Sequence, residues 1–128
     1  MKRKQDIINS LLILIIIIAA HFQLIFKIFY TKWDNLSAFF PYRYTANHFW
    51  RAGELPLWDP YQNLGYPMHA NPQGYVWYPL TQLFALFGEY SPYFMNLELV
   101  LHIFIAALGI YFLFKYLNII NYASLLGA

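Results

Sequence analysis

The chain has 128 residues, 60% of them apolar and 11% charged, with a net charge of +2. A soluble domain carries roughly 25% charged residues, so this composition points away from water, and at this length one domain is the ceiling. The charge is too small and scattered for a nucleic-acid face, and the lack of cysteine excludes a disulfide framework, a thiolate nucleophile and a cysteine-type zinc site.

Residues 1–6 carry the basic cluster Lys2, Arg3 and Lys4 ahead of an almost wholly apolar stretch, residues 7–29, densest from Leu11 to Ala20. A stretch of that length, at roughly 1.5 Å per helical residue, reaches across a hydrocarbon core of roughly 30 Å. Its interruptions, His21, Gln23 and Lys27, gather toward one end, where long side chains snorkel to headgroups. A cleaved signal peptide shares the basic start and the apolar run. This run overshoots a typical signal core, however, and no small-residue cleavage site ends it.

Residues 30–91 form the connecting loop. All seven prolines and all four tryptophans of the chain fall between Trp33 and Pro92. Aromatic side chains with a polar edge suit a membrane interface, so the loop is expected to lie on the bilayer surface or pack on other helices. A helix is expected from about Leu36 to Ala52, with Asp34 or Asn35 as N-cap and Gly53 as its stop. On it Phe39, Phe40, Tyr44 and Phe49 share much of one face, opposite Arg43 and Asn47; Pro41 is tolerable only in the first turn. Residues 54–79 are punctuated by proline and glycine and read as irregular structure held by packing. The apolar run Leu80 to Phe87 is too short to span, which favours a re-entrant or interfacial helix.

A second span occupies residues 92–117, opened by Ser91 as N-cap and Pro92 in the first turn, and residues 118–128 make a turn and the start of a third. With Lys2, Arg3 and Lys4 before one span and Lys115 closing the other, both ends are expected in the cytoplasm and the loop outside. The expected fold is therefore an all-α integral membrane protein of the cytoplasmic membrane, two transmembrane helices joined by a large outer loop with amphipathic, interfacial helices.

Several segments also match a known pattern together: Gly53-Glu54-Leu55-Pro56-Leu57-Trp58-Asp59-Pro60-Tyr61, Asn71-Pro72-Gln73-Gly74 and Tyr78-Pro79-Leu80, preceded by Asp34, Phe39-Phe40-Pro41 and Arg51-Ala52-Gly53. From about Asp34 to the chain end the sequence resembles the bacterial YfhO-like membrane proteins. It departs from them at Trp33, where the family often has a small residue. The family's members are many-spanning and several times longer, so the resemblance implies an N-terminal fragment with the remaining transmembrane helices as its partners. It further implies a GT-C-type glycosyltransferase that uses membrane lipid-linked sugars, polyprenyl phosphates, at the outer face.

In GT-C enzymes an acidic residue in the first outer loop, close after the first span, serves as base or metal ligand, and Asp34 matches that position. The resemblance thus implies a catalytic or metal-binding Asp34, a divalent cation (Mg or Mn) being the cofactor it suggests. As a purely structural residue Asp34 would cap the following helix. Asp59 is a second catalytic candidate, although Asp before Pro also starts turns for local reasons. Glu54 and His69 match no metal-ligand spacing. Arg43 and Arg51, eight residues apart and close to one helical face, offer forked donors to a lipid phosphate; headgroup anchoring explains them almost as well. Glu98 and His102 share a face inside the second span, where ionisable groups normally face a bundle interior or wet cavity. The alternatives to an enzyme are a non-catalytic lipid-binding or assembly protein of the same fold, or a small piece of a pore or transporter. The last is disfavoured by spans without the glycine and proline breaks of discontinuous transport helices.

Overall fold

The computed structural model describes residues 2–119 and 121–127. Secondary structure among them is helical apart from one isolated antiparallel bridge, Asp59 with Tyr66. The helices are α1 (Lys2–Ala20), α2 (Phe22–Ile25), α3 (Phe40–Arg51), α4 (Pro79–Ala85), α5 (Pro92–Tyr116) and α6 (Asn121–Leu126). A π-helical turn, Asn35–Phe39, leads into α3. The chain divides into two compact units, Met1–Ile28 with Leu99–Ala128, and Phe29–Glu98. The first is called the two-helix unit below, the second the loop unit.

Among the described residues one helix, α5, is long and apolar enough to cross a membrane. Its start follows the expected chemistry: the Phe94 amide donates to Ser91 Oγ at 3.4 Å and Pro92 opens the first turn. Its end is equally local. Asn118 takes a left-handed φ of 58° and the Ile119 amide returns to the Phe114 carbonyl at 2.9 Å, a Schellman closure in which asparagine tolerates the conformation.

The first apolar stretch differs from a single unbroken helix over residues 7–29. The α1 helix begins earlier, at Lys2, and stops at Ala20. At His21 the chain breaks: the Ile17 carbonyl takes both the His21 amide at 2.9 Å and the His21 ring nitrogen at 3.1 Å. Helix resumes only for Phe22–Ile25, and Lys27 at φ 61° closes it, with the Ile28 amide bonded to the Gln23 carbonyl at 2.9 Å. Two of the three polar interruptions, His21 and Lys27, are thus the places where the backbone changes course.

In the two-helix unit Ile13 and Ile17 of α1 pack with Val100, Ala107 and Tyr111 of α5. One end of that seam is polar. Asn9, buried, donates to Tyr111 Oη at 3.0 Å, Tyr111 donates to Asp6 Oδ1 at 2.9 Å, and Lys115 pairs with Asp6. Lys115, expected as an orientation signal, is therefore also a structural clasp between chain segments 109 residues apart. The expected start of a third span falls on the short helix α6; Ile120 and Ala128 lie outside the described residues.

The loop unit is built on α3, which ends as expected. Gly53 adopts φ +74° and the Glu54 amide bonds the Phe49 carbonyl at 2.9 Å, and Pro41 sits in the first turn. The small core is Ala46, Met68 and Val76 with Phe49 and Tyr66 against it. The proline-rich stretch after α3 is held largely by side chains that bond backbone groups. Trp50 Nε1 and Gln82 Nε2 donate to the Val76 carbonyl at 3.1 and 3.2 Å, and Trp77 Nε1 donates to the His69 carbonyl at 3.1 Å; ahead of α3, the Phe29 carbonyl likewise accepts from Asn96 Nδ2 at 2.8 Å. Irregular backbone that lacks a ladder must find its partners this way.

At Gly65, φ +100°, an added Cβ would lie 2.8 Å from the Trp58 indole. Gly65→Ala combines a disfavoured φ with a steric push on that ring. It should cost at least about 1 kcal/mol, visible as a lower denaturant midpoint when tryptophan fluorescence follows unfolding. A midpoint equal to that of the parent protein would show that the turn relaxes without penalty.

Candidate active site

The α3 helix has two unlike faces, and each carries one of the two polar features of the loop unit. On one side Ser37, Phe40, Pro41, Tyr44 and Thr45 line a cavity of about 600 Å3 whose opposite wall is Tyr61 and Gln62. Three residues before Ser37 stands Asp34, exposed, at the start of the same helical stretch. Its backbone is already helical (φ −56°, ψ −28°) and its side chain makes no capping bond. The cap expected of it as a structural residue is not formed, because a capping carboxylate requires a non-helical backbone at that position. Trp33, the residue that departs from the family pattern, takes φ 59° and is 88% exposed. Its carbonyl accepts the Ser37 hydroxyl at 3.0 Å. The cavity has aromatic walls with hydroxyl and amide groups among them, a lining that stacks on a ring while hydrogen-bonding its edge.

The other face of α3 is the buried one, and it is polar. Ala46 and Asn47 are fully buried while Tyr44 is exposed, and Arg43, one turn before Asn47, turns inward with it. Arg43 Nη1 donates to Glu98 Oε2 at 3.0 Å, with side-chain exposures of 11% and 3%. Tyr90 Oη donates to the same oxygen at 2.6 Å and Thr81 Oγ1 to Oε1 at 3.2 Å. The guanidinium lies 4.2 Å from the centroid of the Tyr75 ring, a cation–π contact, and Tyr75 itself holds φ 52°. Asn47 Oδ1 accepts the Tyr90 amide at 3.0 Å. Burial, then the charge of Glu98 and the hydrogen bond to it, push the Tyr90 phenol far above its ordinary range, against the opposing pull of Arg43. For Arg43 burial works against the cation, yet the Tyr90 hydrogen bond and Glu98 outweigh it and raise its pKa. Both groups therefore keep their protons at any physiological pH. Arg43 Nε and Asn47 Nδ2, also buried, have no hydrogen-bond partner among the described residues.

This geometry sorts the candidates. Arg43 is engaged with Glu98 inside the unit, whereas Arg51 is exposed in the last turn of α3; they do not form a common exposed pair for a phosphate. Glu98 is buried among donors of the loop unit, and His102, one turn on, falls in the two-helix unit and is partly exposed. Asp59 acts as the turn former its Asp-Pro context suggests: buried, it accepts the Tyr61 amide at 2.8 Å and forms the bridge with Tyr66. His69 contacts the Leu57 carbonyl through Nδ1 at 2.8 Å, and Glu54 is exposed. A second cavity, about 330 Å3, lies between His69 and the segment 70–78, including Asn71 and Pro72 of the quoted pattern. Among the described residues no group of three or more His, Asp or Glu stands together. Sequence reasoning did not mark Tyr90 and Thr81 as partners of Glu98; a buried acid in a helix opening was the signal that donors had to exist.

Comparison with protein-family models, with curated proteins and with solved structures gives no match.

Proposed function

We propose that the chain is the N-terminal part of a multi-spanning membrane glycosyltransferase that uses a polyprenyl-phosphate-linked sugar at the outer face of the membrane, with Asp34 as general base. One observation carries the reading: Asp34 is an exposed carboxylate without a capping role, at the start of the helical stretch whose next turns line the 600 Å3 cavity. In the reaction the acceptor hydroxyl loses its proton to Asp34 as its oxygen bonds to the anomeric carbon. The bond from that carbon to the phosphate oxygen breaks, and polyprenyl phosphate leaves with the electron pair. The cavity's aromatic walls hold a sugar ring, and Ser37, Thr45 and Gln62 supply hydrogen bonds to it. Both α1 and α5 cross the cytoplasmic membrane, with Lys2, Arg3 and Lys4 on the inside.

The test is transfer from polyprenyl-phosphate sugars by the full-length protein, with Asp34→Asn as the comparison. Membrane orientation is checked separately by single cysteines in intact cells. A cysteine at Glu54 should react with an impermeant maleimide and one at Asn118 should not; the reverse pattern would overturn the orientation.

A further inference from the structure

The segment from Trp58 to Tyr66 is an anchored finger with an apolar tip. Its base is fixed three ways: the Asp59–Tyr66 bridge, with both backbone bonds formed at 2.9 and 3.0 Å; the Asp59 carboxylate on the Tyr61 amide; and the Trp58 indole seated on Gly65. At the tip Asn63 and Leu64 both adopt left-handed backbone, φ 51° and 62°, followed by Gly65 at 100°. Asparagine and glycine accept that conformation readily; leucine does not. The result is a Leu64 side chain 104% exposed, flanked by Tyr61 at 78% and Trp58 at 54%.

A strained backbone that spends its strain on holding a leucine clear of the protein needs a destination for the leucine. The chemistry of the finger selects one. Asp59, the one charged residue of the finger, is buried at its base. No charged residue occurs from Pro60 to Met68, so apart from the amides of Gln62 and Asn63 the tip carries little that resists leaving water. Two of its exposed groups, Trp58 and Tyr61, join a large apolar ring to a polar edge, the combination that settles at the level of lipid headgroups. The loop unit is also continuous in sequence with α5, the apolar helix, which keeps it within reach of a bilayer surface. We infer that residues 58–66 are a membrane-interface anchor, with Leu64 entering the acyl boundary and Trp58 and Tyr61 at the headgroups. Since Tyr61 and Gln62 also wall the 600 Å3 cavity, the anchor ties one side of that cavity to the lipid surface. The inference holds whether or not the chain transfers sugars.

The test places a nitroxide on a cysteine at Leu64 and another at Glu54, in the full-length protein reconstituted into phosphatidylcholine–phosphatidylglycerol vesicles. Collision with oxygen is then compared with collision with a water-soluble nickel chelate. The expected result is a label at 64 that meets oxygen at least several-fold more readily than the chelate, while the label at 54 meets the chelate freely. Free chelate access at 64 would overturn the anchor, and so would shielding from both reagents, which would mean that protein covers the tip. If the Leu64→Cys variant fails to insert, the unaltered chain can be labelled from within the bilayer by a photoactivated carbene lipid. Label on residues 61–64 supports the anchor, and its absence there refutes it.

Discussion

Arg43→Ala should destabilise the loop unit by about 3–5 kcal/mol, the range measured when one partner of a buried ion pair is removed. The cause is the carboxylate left behind. Glu98 is 3% exposed in its side chain, and the substitution takes away the guanidinium paired with it while the Tyr90 and Thr81 hydroxyls remain. The Tyr75 ring would lose its cationic partner as well. Arg51→Ala removes the same charge from the same helix at an exposed position and should stay within about 0.5 kcal/mol. Replacing both partners, Arg43→Met with Glu98→Leu, should recover only part of the loss: no unpaired charge remains, but the buried Tyr90 and Thr81 hydroxyls lose their acceptor. Urea unfolding in detergent, followed by tryptophan fluorescence, measures all three. Equal midpoints for the Arg43 and Arg51 variants would mean that the pair is not the keystone its burial implies.

The features legible in the sequence were those decided within a few residues. Ser91-Pro92 opens α5, Gly53 closes α3, Pro41 falls in a first turn, and Asp59-Pro60 makes a turn. Each depends on backbone conformation and one nearby side chain, which a local reading contains. The buried face of α3 was not legible. Amphipathic patterning assigns apolar residues to the interior, whereas here Arg43 and Asn47 go inside because Glu98 and the Tyr90 amide, 55 and 43 residues away, meet them there. The same limit applies to Glu98: helical spacing puts it on one face with His102, and says nothing of the groups from α3, α4 and the chain before α5 that bond it. For the first apolar stretch hydropathy missed both the early start at Lys2 and the break at His21, since averaging over a window cannot register one carbonyl with two claimants.

For the candidate site, sequence supplied Asp34 through resemblance alone, and the structure supplied its surroundings. Two readings of this residue make opposite statements about Asn at the same position. Asparagine and aspartate are near-equal helix caps, so a capping Asp34 would tolerate Asn in every respect. A general base would not, because Asn keeps the shape but lacks a site that takes up a proton at neutral pH. The backbone at Asp34 is helical and no capping bond is made, so stability has nothing to lose by the exchange. Asp34→Asn in the full-length protein should therefore leave expression and thermal stability nearly unchanged, while transfer falls by about a hundred- to ten-thousand-fold, the range for losing a general base. Asp59→Ala should show the reverse balance. That carboxylate is buried and holds the Tyr61 amide and the turn beneath the cavity wall, so its replacement should lower stability measurably and activity only in step with it. Turnover by Asp34→Asn at half the parent rate or above would remove Asp34 from the chemistry, and would leave the chain's membrane architecture standing without a catalytic assignment.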